Sequence, residues 1–294
     1  MSDPFGGIPL AAALTDEQLS DRLGEPVLSG RNTAKSGVGR FAFEWLGGAP
    51  PWRHTSHTIG FIPAGAPGDG AIRPVSRVEA DPSLKNARLR ITLDGLRVAD
   101  YPGGGIHRVL FNFFVQNRTD TGVEDVNFNA TYRIREGDSA AVINFPIFTG
   151  VAPFETGLAI RCYTVNVKND NDELFLDLLE SDVLRQGLTL AAVAQPAIKP
   201  LSDLAVGMAK AIATRRRNVP VQDVHLGLDF GGPTTGARLA TGSYVAVQVP
   251  AAFQRSWRWP DWTYDADTGQ IANTAGDPIP LNYFILGVSR TLDA

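Results

Sequence analysis

Apolar and polar residues alternate along most of the chain from Ala87 onward, which is the pattern of strands with one buried face. RLRITLDGLRV opens this run. In HRVLFNFFVQNR, Val109, Phe111, Phe113 and Val115 fall on one face, and Leu110, Asn112, Phe114 and Gln116 on the other. Apolar bulk on both faces marks an interior strand. VNFNATYRIRE, AVINFPIFTG and GLAIRCYTVNVK follow; in the last, Leu158, Ile160 and Cys162 oppose Tyr163, Val165 and Val167. The alternation resumes in VQDVHLGLDF and GSYVAVQVP and closes with WRWPDWTYD, a DADTG turn and LNYFILGVSR. About eight strands divided by turn signals such as EGDS predict a mainly β fold, an antiparallel β-sandwich, rather than βαβ units.

Two stretches change the period. DELFLDLLESDVL (Asp172 to Leu184) and PLSDLAVGMAKAIATRRR (Pro200 to Arg217) predict two inserted helices. In the second, Leu201, Leu204, Ala205, Met208 and Ile212 repeat at three and four residues and form one stripe that the sheet must cover. Arg215, Arg216 and Arg217 suit the negative end of its dipole. Residues 1–80 are rich in Gly and Pro, with short apolar runs at Gly39–Trp45 and Thr58–Ile62. They read as an N-terminal arm or irregular layer that adds edge strands to a body at 81–294, the helical insertion lying at about 171–217.

Composition narrows the function classes. A length of 294 residues with 44% hydrophobic content supports a full core. A net charge of −4 gives no basic field for nucleic acid. The single cysteine, Cys162, cannot close an internal disulfide, and MSDPFGGIPLAAALTDEQLSDRL has no basic-then-apolar leader, so the expectation is a cytoplasmic protein in which the sequons at Asn117 and Asn129 are silent. No apolar run approaches the roughly 20 residues that span a bilayer, so membrane contact would be peripheral.

Catalytic motifs are sparse. No G-x-S-x-G elbow occurs, and Cys162 falls inside a strand, where a thiol is ordinarily a small buried hydrophobe. His54 and His57 could share a metal only with a third ligand from elsewhere. YPGGGIHR and DFGGPTTGAR lack phosphate-loop spacing and read as turns that need positive φ. His107, Asp229 and His225 are the dispersed residues that an undetected hydrolase or transferase would use. More distinctive is the aromatic cluster Trp257, Trp259, Trp262 and Tyr264. It anchors the last hairpin if buried, and binds a sugar or a protein if exposed; Trp257 and Trp259 are expected on one strand face, with Trp262 beyond the Pro260 break.

VKNDNDELFLD poses the remaining question. Asp170 and Asp172 can aim two carboxylates into one loop, as calcium requires; alternatively Asp170 or Asn171 caps the helix that follows, with acidic residues in its first turn. The alternating strands, this acidic loop and the long strand after ITLDGLRVADYPGGG resemble C2-type β-sandwich domains over about residues 89–250. That resemblance implies a binding role through loops at one end, with calcium as the cofactor Asp170 and Asp172 would take and a lipid surface or protein as partner. The chain differs from that family's pattern at Leu178, where a further Asp is usual, and at Asp100-Tyr101-Pro102, where Asp-Pro-Tyr is usual. The leading expectation is a non-enzymatic protein-interaction or assembly module that binds a protein partner or self-associates. The alternatives are the dispersed enzyme and calcium-linked peripheral membrane docking.

Overall fold

The structure, a computed structural model, describes the chain apart from residues 1–2, 28–48, 66–69, 120–121, 141, 143, 173–175, 177–197, 232–235, 266 and 292–294. The fold is a β-sandwich whose sheets are antiparallel except for one short parallel pairing at an edge. One sheet runs β3 (Arg73–Pro74), β1 (Ser56–Pro63), β12 (Gly242–Val249), β15 (Tyr283–Arg290), β4 (Leu89–Arg97), with β7 (Ser139–Ala140) and β8 (Phe145–Val151) both pairing β4. The other runs β11 (Ala237–Arg238), β10 (Asn218–Asp229), β9 (Gly157–Val167), β5 (Ile106–Thr119), β6 (Gly122–Arg135). The strands expected after Ala87 are present, except that WRWPDWTYD is a strand only over Trp262–Asp265, and the two-residue strands are additions at the sheet edges.

The inner faces of the two sheets form the main core. Val109, Phe111, Phe113 and Val115 meet Ile91, Leu93, Phe284 and Leu286, as the alternation required. Each sheet also buries its outer face, which explains the strands that are apolar on both sides. On the five-stranded sheet, Leu110, Phe114, Tyr163, Val165 and Val167 are covered by α2 (Ile198–Thr214), the second expected helix. Ala205, Met208, Ala209, Ile212 and Ala213 form its buried stripe, whereas Leu204 is half exposed and stands outside it. On the seven-stranded sheet, Val245, Val247, Val249, Tyr283 and Ile285 are covered by a third, three-stranded sheet of β14 (Gln270–Asn273), β13 (Trp262–Asp265) and β2 (Gly70–Ala71).

Of the helix expected over 172–184, only Asp172 and Leu176 are described, and Leu176 packs under α2. The expected strand at Gly39–Trp45 also lies outside the described residues. An unanticipated helix, α1 (Asp16–Leu23), stands near the N-terminus, closed by a capping box between Thr15 and Gln18. The Gly/Pro-rich layer packs on the body: β1 pairs along its whole length with β12, and Arg22 donates to the carbonyls of Asn218 and Ala213. Gly103, Gly104 and Gly105 all take positive φ, as the turn reading of YPGGG required. The DADTG turn likewise closes β13 onto β14, with Asp265 paired to Gln270.

Replacing Ile212, fully buried between α2 and the sheet, with Ala removes core volume that the neighbouring alanines cannot fill. The expected cost is about 2–5 kcal/mol, read as a lower urea midpoint with an unchanged slope.

Candidate functional site

The aromatic cluster packs on itself and on the core, with Trp259 buried and Trp257, Trp262 and Tyr264 partly buried. Trp259 is buried and opens a one-turn 3-10 helix, Trp259–Asp261, instead of sharing a strand face with Trp257. Pro260 is the reason, since its missing N–H suits a helical first turn and not a ladder. Trp257 stacks on Trp262, centroids 5.6 Å apart at 11°, and meets Trp259 edge-on at 5.5 Å. All three, with Tyr264, pack on the core under the three-stranded sheet.

Asp170 and Asp172 are engaged with arginines. Asp170 accepts from Arg108 Nη2 at 2.7 Å and lies 3.8 Å from Arg217, while Asp172 is fully buried and bound by Arg215 and Asn218. Asn169 precedes the short 3-10 turn Asp170–Asp172, and its side chain accepts from the Asn171 amide at 3.0 Å; the helix that Asp170 or Asn171 is expected to cap lies almost wholly outside the described residues. Among the described residues no group of three or more His, Cys, Asp or Glu side chains gathers as a metal cage would need.

The residues named for a dispersed enzyme do not meet. His225 and Phe114 are both opposite Arg161, and His107 lies seven residues along β5 from Phe114. That is roughly 23 Å at the rise of a strand. Asp229 lies farther along β10, opposite Gly157.

A different site sits on the outer face of the seven-stranded sheet. Ser243, Gly287 and Thr92 lie side by side across β12, β15 and β4, and the register slips where Ile285 faces Gly95 but Leu286 faces Leu93. Asp94 is thus the extra residue of a β-bulge, a device that re-aims a side chain. Its carboxylate lies over Gly287: Oδ1 accepts from Thr92 Oγ1 at 2.7 Å and Oδ2 from Ser243 Oγ at 2.9 Å. A Cβ on residue 287 would collide with both Asp94 and Thr92, so only glycine admits this arrangement. Above it opens a cavity of about 280 Å³ walled by Gly65, Gly70, Gly242, Asn144 and Tyr264. Burial and the nearby Asp94 charge push the Tyr264 phenol above its ordinary range. Asp94 is the one charged side chain among the described lining residues.

The chain matches no protein-family model, no curated protein and no solved structure. Function therefore rests on the site.

At the far end of the strands the sandwich interior turns polar. Gln222 Nε2 donates to Tyr101 Oη at 2.7 Å, His57 Nε2 donates to Gln222 Oε1 at 3.2 Å, and His107 Nδ1 donates to Asn166 Oδ1 at 3.3 Å. Asn282 bridges the backbone of Asp100 to Gln248. Burial lowers His57 and His107 to about 4 from 6.5, and burial with the neighbouring Glu136 charge raises Asp100 to about 8 from 3.8.

Of these groups, Thr92, Asp94, Ser243 and Gly287 escaped the sequence reading, although two signals mark them. The apolar period slips between Leu93 and Leu96, and a glycine interrupts the strand pattern in FILGVSR.

Two predictions follow from this geometry. Gly287→Ala is expected to cost about 1–3 kcal/mol by overpacking, and less when Asp94 is already Ala; a double-mutant cycle in urea measures that coupling. The second concerns pH. Between 6.5 and 4 the unfolded chain binds protons at His57 and His107 that the folded chain refuses, so stability rises with pH across that window. From 3.8 to 8 the folded chain keeps a proton on Asp100 that the unfolded chain has lost, so this group lowers stability as pH rises. Stability is expected to peak near pH 6.5, and Asp100→Asn to flatten the fall between there and pH 8 and to steepen the rise from pH 4 to 6.5, where Asp100 otherwise opposes the two histidines.

Proposed function

We propose that the chain is a non-enzymatic interaction module that captures a basic side chain of a protein partner in the cavity over Gly287. The observation that carries this reading is Asp94, whose two oxygens are held by Thr92 and Ser243 at the floor of the cavity. A carboxylate with both oxygens fixed by hydroxyls is preorganised. Its remaining lone pairs face a space whose described walls supply no cation, so a guanidinium or ammonium ion completes the charge balance. Tyr264 forms a wall on which a cation or its aliphatic stem can lie. A bulge and a glycine in adjacent strands are both explained by placing Asp94 there.

The test is a titration of the full chain with Nα-acetyl-arginine amide, followed by amide chemical shifts. Shifts should centre on Thr92, Asp94, Ser243 and Gly287. Asp94→Asn keeps the shape and removes the charge, and should weaken binding about 10- to 100-fold, the worth of a charge-assisted hydrogen bond at about 1.5–3 kcal/mol. Methyl glucoside binding as well as the arginine derivative, with Asp94→Asn unaffected, would replace the cation reading by one of neutral polyols.

A further inference from the structure

The opposite face of the sandwich carries a second recognition surface, filled by the chain itself. Residues Asp3 to Leu10 belong to no strand or helix longer than a turn, yet Phe5 is only 2% exposed. Ile8 and Leu10 pack on the same apolar cluster, and two side chains, Asp3 and Phe5, seat the start of the segment. Asp3 Oδ1 accepts from Arg161 Nη1 at 2.7 Å and from the Phe5 amide at 3.1 Å, and the Phe5 ring lies flat on Tyr163, centroids 4.1 Å apart at 8°, with its edge on Phe114.

The receiving half of this contact is built into the sheet. Arg161 is 2% exposed on β9, and its Nε and Nη2 are committed to Asp223 of β10 at 2.7 Å each. That bidentate pair fixes the guanidinium plane and leaves Nη1 aimed at the groove. Tyr163 and Phe114, on β9 and β5, form an aromatic slot beside it. The delivered half is short: a carboxylate, Pro4, and an aromatic ring two positions on, followed by Gly6 and Gly7, the latter at φ 84°. Among the described residues no ladder hydrogen bond ties it down, so the carboxylate and the ring carry its specificity, while Ile8 and Leu10 add apolar packing. One fixed cation and one aromatic slot, at that spacing, recognise any segment of the same form.

We propose that this groove is a receptor for a partner-protein segment carrying a carboxylate two positions before an aromatic ring, and that Asp3–Phe5 occupy it as a built-in competitor. The internal segment sets the threshold a partner must exceed, because a short tether holds its own ligand at millimolar effective concentration.

The probe is a peptide of residues 2–10, labelled at its C-terminus, added to the full-length chain and followed by fluorescence anisotropy. The double variant D3A/F5A, which empties the groove, should bind it at least tenfold more tightly than the wild-type chain. A peptide with Asn at the Asp3 position should lose at least tenfold of that affinity. D3N, which keeps the ring, guards against misfolding of the double variant and should also bind more tightly than wild type. Equal affinity of all three proteins, or equal affinity for the two peptides, would overturn the proposal. So would a wild-type dimer in sedimentation that D3A/F5A converts to monomer, since the occupant would then be the same segment of a second copy.

Discussion

The structure depends on sheets that are buried on both faces. A lone sandwich needs one apolar face per sheet, but here a helix covers the outside of one sheet and a small third sheet covers the outside of the other. The middle strands therefore carry apolar side chains at successive positions, and a residue with polar character in them must be paired or must serve a purpose. Three apolar layers result, and the polar exceptions between them become conspicuous.

Those exceptions obey the same constraint in different ways. Arg161 is buried under the N-terminal segment with two carboxylates, and Asp172 is buried with Arg215 and Asn218, so each charge has its counter-charge. The polar end of the sandwich pairs through neutral partners, apart from His107 Nε2, which is buried without one, and its histidines are held uncharged by burial. Asp94 differs from both: it is anchored by hydroxyls, which orient a carboxylate without neutralising it, and it faces an open cavity. This difference separates a charge already paired from one open to a ligand.

Much of the fold was legible because burial on a sheet writes itself in period two. The faces of β5, β9, β10 and β12 follow directly from the alternation, and α2 follows from its stripe. Leu204 is the instructive miss: it shares the spacing of Met208 and Ile212 but lies half exposed, because period alone does not say how wide a stripe the sheet covers. Trp259 is another, where Pro260 turned an expected strand into a helical turn. The candidate site was half legible. The slip from Leu93 to Leu96 announces a bulge, and Gly287 announces a close approach, but nothing local says that the two belong together. They meet only because β4 and β15, almost two hundred positions apart in the chain, lie side by side. Asp3 and Arg161 are joined by the same kind of long-range contact.

The central claim is that the bulged Asp94 is a receptor for a cation, and it is tested most directly by a crystal structure of the chain soaked with Nα-acetyl-arginine amide. The account predicts a guanidinium within hydrogen-bond distance of Asp94, with Thr92 and Ser243 still bound to the same carboxylate and the aliphatic stem along Tyr264. A cavity holding only water while the ligand is ordered elsewhere, or an Asp94 turned away from Gly287, would contradict it.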